Sequence, residues 1–560
     1  MTILTPDFQI LDSSLEQLQA HKSQWPNVTI PERIRIIQQL IQGIAAVAED
    51  WANTSCQLKG IDPHSNLAGE EWTTGPAAIL IQLQQLIVTL QAKGQPQPPQ
   101  WRTGPQGQDI AQVLPANWQE KFIWFGYRAE VWLESGKPRT QGKIYREPPG
   151  PGGVALVLGA GNISSIAPLD VLYKLFAENQ VVILKMNPLN AALGQYLERA
   201  WRALIEAGYL AIVYGGAEVG DYLCQHPMVE SVHITGSQAT HDLIVWGKTK
   251  AEQTEHKQNQ TPRLQKPITS ELGNITPVVI IPGQWSASEL QFQARQVVSL
   301  LTHNASFNCV GAQVLVISQA WPQKQEFLTR IRHILAQTPQ RNAYYPGAKS
   351  RYHHFLDHYP QAEVITSPSN GLNPEETIPW TVIPNIPDQA GEFFLEQEVF
   401  CGVLGIVTLN AADTPTFLKL MVDCLNQRVQ GTLGCNLIID PRTERQYQSE
   451  FNQAVSELDY GTITINLWAA VAFSLGVTPW GAFPKHNLES AGSGLGFVHN
   501  TFLFDYPQKS VIHAPFIIVP TPAWFVDHRN LLALAKALVH YYANPNLWTI
   551  LPLIWAGLWG

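Results

Sequence analysis

The chain has 560 residues, of which 45% are apolar and only 14% charged, and its formal net charge is -9. A chain of this length buries a large core and divides into two or more lobes. The high apolar share excludes a disordered polymer, and the acidic balance excludes a nucleic-acid-binding surface.

The amino-terminal stretch MTILTPDFQILDSS shows no basic region leading into an apolar run, so no secretory signal is expected and the cytoplasm is the expected compartment. Amphipathic spacing in PERIRIIQQLIQGIAAVAEDWA and in GPAAILIQLQQLIVTLQAK predicts two helices, with Pro31 as a start signal for the first and Gly94 as a stop for the second. The Pro-, Gly- and Gln-rich GQPQPPQWRTGPQGQ that follows has the composition of a linker or surface loop. From Trp124 to Tyr145, alternation on either side of Ser135 to Pro138 predicts a long hairpin whose exposed edges need a partner, such as another subunit.

After PPGPGG the texture changes to strand alternating with helix. VALVL, VVILK, AIVYGG and SVHIT are the strand-like runs, separated by helices near APLDVLYKLFAEN, from Ala191 to Ala207, and a short one after Gly216. This alternation predicts an α/β fold with a parallel, doubly wound sheet. Ligands in such sheets sit at the carboxyl ends of the strands, which here carry GAGN, KMNP, GG and TGS. No GxGxxG follows the first strand. The polar run KTKAEQTEHKQNQTPRLQKP has the character of a surface insertion. VLVIS, AEVIT and LGIVTL are strand candidates in the second half, and SVIHAPFIIV alternates enough to join the Trp124 to Tyr145 hairpin across a subunit boundary.

Six cysteines, at 56, 224, 309, 401, 424 and 435, show no CxxC spacing and no adjoining His cluster, so neither a metal site nor a disulfide framework is expected. Cys309 differs from the others in its setting: HNASFNCVGAQVLV places it at the mouth of an apolar run with the character of a buried strand. A positioned thiol attacks carbonyl carbon when a base and an oxyanion donor stand beside it. Glu271, in SELGNITPVVII, is the candidate base, and Asn162, in GAGNISS, the candidate donor.

The ordered series of Asn162, Lys185, Thr235-Gly236-Ser237, the ELGN box at Glu271 and Leu272, Cys309, and EQEVFCGVL around Glu398 and Phe400 resembles the aldehyde dehydrogenase superfamily over roughly residues 30 to 500. The resemblance implies a parallel nucleotide-binding sheet, an α/β catalytic lobe and a β oligomerisation extension. Its boundaries here are 1–120 and 148–279 for nucleotide binding, 280–479 for catalysis, 121–147 and 510–520 for oligomerisation, and 521–560 for an apolar tail. It further implies NAD(P)-dependent oxidation of a small-molecule aldehyde to an acid, in a homodimer or homotetramer. Cys309 would form a thiohemiacetal held by Asn162 and its own backbone N–H, and Glu271 would activate the water that hydrolyses the ensuing thioester.

For the cofactor the resemblance implies Lys185 at the adenosine ribose, Gly236 and Ser237 at the pyrophosphate, Glu398 at the nicotinamide ribose and Phe400 beside the nicotinamide, with Gly220 and Leu272 lining the cleft. Relatives that prefer NAD carry a glutamate where this chain has Pro188, so both NAD and NADP are expected to serve, with a tilt toward NADP. A second departure is Ser306-Phe307, where the family usually has Gly-Gln ahead of the nucleophile. Alternatives are a member that passes the acyl group to coenzyme A or reduces it, for which Glu271 is unusual, and a silent homologue with a binding role. The tail, NLLALAKALVHYY followed by NLWTILPLIWAGLWG, is too short and Trp-rich to span a bilayer, and peripheral membrane contact is a further expectation.

Overall fold

The structure is a computed structural model and describes residues 8–117, 120–121, 124–369 and 371–560. The first seven residues of the stretch tested for a secretory signal, and residues 118, 119, 122 and 123 beside the expected hairpin, therefore lie outside the described residues.

Two sheets carry the architecture. The smaller runs in the order Gly494–Leu495, Ile268–Glu271, Ser231–Thr235, Val154–Leu158, Val181–Lys185, Leu210–Val213, parallel except at its first member. Its central strands VALVL, VVILK and SVHIT are buried along their whole length. Unbroken apolar runs are what a parallel sheet covered on both faces requires. The covering helix Ile30–Lys59 is punctuated as its sequence predicts: Thr29 caps it, Pro31 sits in its first turn, and Gly60 ends it at φ 66. A left-handed φ there suits glycine because a Cβ would clash.

The larger sheet has a parallel centre, Pro507–His513, Thr462–Ile465, Gly434–Ile438, Thr276–Ile280, Ala312–Ser318, Val403–Leu409 and Thr381–Ile386, with Glu363–Val364 antiparallel at the far edge. Beyond Pro507–His513 come three antiparallel strands, Arg128–Leu133, Asp109–Leu114 and Gln100–Thr103.

These last pairings correct three expectations. The presumed linker contains the strand Gln100–Thr103, which needs little apolar patterning because it is an exposed edge held by backbone pairing. The hairpin expected within Trp124 to Tyr145 forms instead between Asp109–Leu114 and Arg128–Leu133, since Gly142, left-handed and packed against the Gly94 carbonyl, turns the later segment into the short helix Lys143–Arg146. The partner expected from another subunit is Pro507–His513 of the same chain. The segment from Ala191 to Ala207, expected as one helix, is broken into Pro188–Leu193, Gly194–Ala200 and Arg202–Glu206, with Trp201 out of helical geometry at the second break. The polar insertion carries a surface helix, Lys250–Asn259, started by a Thr249–Glu252 capping box.

The tail folds into two helices, Leu531–Ala543 and Leu547–Leu558. The first is part of the core, with Ala535 and Val539 buried in the same cluster as the amino-terminal helices. The second leaves most of its large side chains in water.

Candidate active site

Glu271 ends the strand Ile268–Glu271 and is 4% exposed. Its carboxyl accepts a hydrogen bond from the Trp480 indole at 3.0 Å and lines the same cleft as the Cys309 thiol. Burial dominates, raising the Glu271 pKa to about 7, so the group divides between acid and carboxylate near neutrality. Burial, together with the neighbouring Glu271 charge, also raises the Cys309 thiol well above its usual range. The resting pair is thus a protonated thiol beside a tunable base.

The loop delivering Cys309 leaves the helix Ala287–Thr302 and enters the strand Ala312–Ser318. In between, Asn304, Ala305 and Ser306 take φ values of 52°, 54° and 70°. Three successive non-glycine residues in the left-handed region are strained, each by about 1–3 kcal/mol, and persist only where their surroundings over-determine them. The surroundings here are a buried polar clamp. Asn304 donates from its side chain to the carbonyls of Asn162 (3.1 Å) and Phe307 (3.0 Å), and accepts from Lys59 Nζ (2.9 Å) and Tyr344 (3.0 Å). Lys59 in turn pairs with Glu71 at 2.8 Å, and Arg341 pairs with Glu70 at 3.0 Å, while Glu70 accepts the Asn304 backbone N–H at 3.2 Å. Burial alone would raise the Glu70 carboxyl; Arg341 and His303 overcome it and bring the pKa down to about 2. Thr276 donates to the Cys309 carbonyl at 3.3 Å and fixes the far side of the loop.

A cleft of about 420 Å³ brings together Asn162, Gly236, Ser237, Glu271, Leu272, Cys309, Glu398 and Phe400. Asn162 donates from its side-chain amide to the Phe307 carbonyl at 3.0 Å. A primary amide carries two hydrogens, so a second donor remains. Ser237 caps the helix Gln238–Trp246, and a Cβ at Gly236 would meet only Ile234, which leaves this helix start open to an anion. Glu398 accepts the Asn274 N–H at 3.3 Å and fills the space that a Cβ on Gly273 would occupy; burial raises its pKa to about 7. Phe400, itself at φ 43°, packs with Tyr345 and Phe307 at 5.1 and 5.9 Å.

Lys185, Pro188 and Gly220 lie outside that lining. Lys185 and Gly220 stand beside each other, a Cβ on the glycine falling 3.8 Å from the lysine stem, and Pro188 opens the neighbouring turn Pro188–Leu193. Lys185 is 8% exposed and hydrogen-bonds the Met186 carbonyl at a long 3.4 Å, with burial lowering its pKa. A buried ammonium so poorly matched is suited to a hydroxyl or phosphate. Together the open helix start, the glutamate seated at Gly273 and this ammonium fit a dinucleotide cofactor.

On the other side of Cys309 lies an apolar channel of about 220 Å³, walled by Ile163, Ile166, Val310, Trp468, Phe473 and Trp480, and roofed by Trp524, Leu538 and Tyr542. Trp480 and the whole clamp behind Asn304 carry no signal in the sequence. Lys59, Glu70 and Glu71 sit in an amphipathic helical region, Arg341 in an unpatterned segment, and only the fold makes them neighbours of HNASFNC.

A doubly wound sheet and a second α/β lobe, meeting over a thiol and a buried glutamate, make an aldehyde dehydrogenase-like fold. Residues 121–348 match the model of the aldehyde dehydrogenase family. The chain is 28% identical over 192 residues to 4-trimethylaminobutyraldehyde dehydrogenase A of Danio rerio, a match spanning 34% of each protein. Its fold is similar to that of a NAD-dependent aldehyde dehydrogenase from Sinorhizobium meliloti (TM-score 0.60, 16% identity, 92% and 88% of the two chains covered). It is equally similar to an NADP-dependent glyceraldehyde-3-phosphate dehydrogenase from Bacillus halodurans (TM-score 0.59, 14% identity, 90% and 91% covered). The match to the aldehyde dehydrogenase family is thus carried by residues 121–348, the likeness to solved structures is one of fold, and the chain spans about a third of the length of the curated relatives it matches.

Proposed function

We propose that the protein oxidises an aldehyde to a carboxylic acid with a nicotinamide cofactor. The observation that carries this reading is that Cys309 and Glu271 line one cleft together, at the point where it meets an apolar channel. Glu271 takes the thiol proton as Cys309 Sγ adds to the aldehyde carbon, giving a thiohemiacetal. The free hydrogen of the Asn162 amide and the Cys309 N–H serve the oxyanion. When bound, the cofactor supplies the hydride acceptor. After passing the thiol proton to solvent, Glu271 removes a proton from the water that hydrolyses the thioester on Cys309 and returns it to the departing sulfur as the acid leaves. A buried base near pKa 7, in the same cleft as the nucleophile, supports release of a free acid over transfer to coenzyme A.

The open helix start at Gly236 and Ser237 would hold the pyrophosphate, Lys185 the adenosine end, and Glu398 with Phe400 the nicotinamide end. Pro188 supplies neither the acceptor nor the charge that would repel a 2′-phosphate, so both cofactors serve, with a tilt toward NADP. The test is an aldehyde panel followed by reduced-cofactor absorbance, with NAD and NADP, with and without coenzyme A, on the natural chain and on Cys309→Ala. Oxidation without coenzyme A that Cys309→Ala abolishes supports the reading. A coenzyme A requirement would favour the acylating alternative, and turnover by Cys309→Ala would remove the nucleophile.

A further inference from the structure

We propose that the helix Leu547–Leu558 seats the protein on a lipid bilayer and that the channel beside it draws long aliphatic aldehydes from that bilayer to Cys309. The substrate half rests on the aldehyde-oxidising reading above; the lipid half does not.

The helix contains no charged residue. Leu547, Trp548, Leu551, Trp555, Leu558 and Trp559 are 78%, 83%, 58%, 64%, 64% and 60% exposed. Their spacing of three to four residues puts them on one face, while Thr549 and Ala556, on the other, are buried. Indoles at the rim of an apolar face favour the boundary between water and acyl chains. With 12 residues, the helix is shorter than the about 20 needed to cross a bilayer, so it lies on the surface. The one described helix long and apolar enough to cross, Asn66–Gln91, is 61% buried in the protein.

A second copy of the chain fits this face poorly. Twelve helical residues make a strip about 18 Å long and about 10 Å wide. Such a strip falls well short of the ~800 Å² per partner that a stable pairing buries. The net charge of -9 removes electrostatic attraction to anionic lipid, leaving apolar insertion as the driving contact.

Continuity ties the face to the chemistry. The channel at Cys309 shares Ile81, Trp124, Val471, Ser474 and Tyr542 with an outer cavity of about 260 Å³. That cavity ends at Tyr541 and Pro545, the turn from which Leu547–Leu558 departs, and at Val88, which is 54% exposed. Phe125, next to the shared Trp124, is 82% exposed. A path, apolar in its inner part and bordered by Gln84, Gln85 and Glu120 in its outer part, thus runs from the turn before the exposed helix to the thiol.

The test is flotation with phosphatidylcholine vesicles at low and high salt, comparing the full chain with the triple variant Trp548→Ser, Trp555→Ser, Trp559→Ser and with Leu551→Glu, all exposed positions. The full chain is expected to float at both salt concentrations and the variants to remain below. The triple variant should oxidise a short water-soluble aldehyde at the natural rate, while its kcat/KM for a long aldehyde dissolved in vesicles falls by about tenfold or more. Equal flotation of all three proteins, or of none, would overturn the lipid seat. A vesicle-free dimer that the triple variant dissolves would assign the face to a second copy. A chain that floats and oxidises short aldehydes but not long ones loses the substrate half, whereas one that floats and oxidises no aldehyde keeps its lipid seat and loses the proposed reaction instead.

Discussion

The two spaces that meet at Cys309 are made differently. The polar cleft is built from strand ends and helix starts, where a few residues in a row supply backbone donors, a carboxylate and a glycine; the apolar channel is walled by aromatic side chains gathered from segments far apart in the chain. Chemistry at a strand end is therefore written locally, and shape is not. Trp480 links the two, walling the channel while its indole donates to Glu271 of the cleft.

The comparison breaks most completely if the clamp behind the nucleophile loop fails. Arg341→Met leaves the Glu70 carboxylate buried without its partner, and should lower unfolding stability by about 3–5 kcal/mol in a denaturant titration. Glu70 adds a pH signature. Its folded pKa of about 2 lies below the ordinary glutamate value of 4.5, so the stability it confers is full above 4.5 and is lost as pH falls toward 2. The natural chain should therefore melt progressively lower across that window, and Arg341→Met should show a shallower dependence.

On the polar side, Glu271→Gln should slow both thiol attack and thioester hydrolysis, lowering steady-state oxidation by about 10²-fold with no burst of reduced cofactor in the first turnover. In the natural chain the rate should rise with pH through about 7, because the carboxylate is the competent form, and level off above it. The variant should lose that rise. Trp480→Phe sharpens the boundary between the two sides. Removing a donor to the carboxylate should push the Glu271 pKa further up and move the limb toward alkaline pH, with a few-fold loss of kcat at pH 6 and little above pH 8. A channel role alone would change KM without moving the limb. The smallest effect is expected at Ser306→Gly, which relieves a left-handed serine and should raise stability by about 1 kcal/mol in thermal unfolding.

Ser306 also shows what the sequence can carry. Its departure from the family's glycine is visible in HNASFNC, but that the backbone there is left-handed for three residues, and held so by Lys59, Tyr344 and Glu70, depends on contacts that no local pattern encodes. The alternating strands and helices of the nucleotide lobe were legible because each strand is a buried apolar run with a turn at its end. Gln100–Thr103 was not, since an edge strand is specified by its neighbour's backbone more than by its own side chains. The same holds for the strand Pro507–His513: its alternation is visible, but its partner in the same chain is not.

That pairing sets an order of events on the ribosome. Asp109–Leu114 and Arg128–Leu133 emerge early, yet the strand that joins them to the rest of the sheet is among the last to be made. Until Pro507–His513 appears, Arg128–Leu133 presents an unpaired edge, and so does Thr462–Ile465 across the gap. The strand Pro507–His513, which follows every other described strand of the larger sheet in the chain, is thus its keystone, and a nascent chain stopped before it carries two open edges for other strands to find.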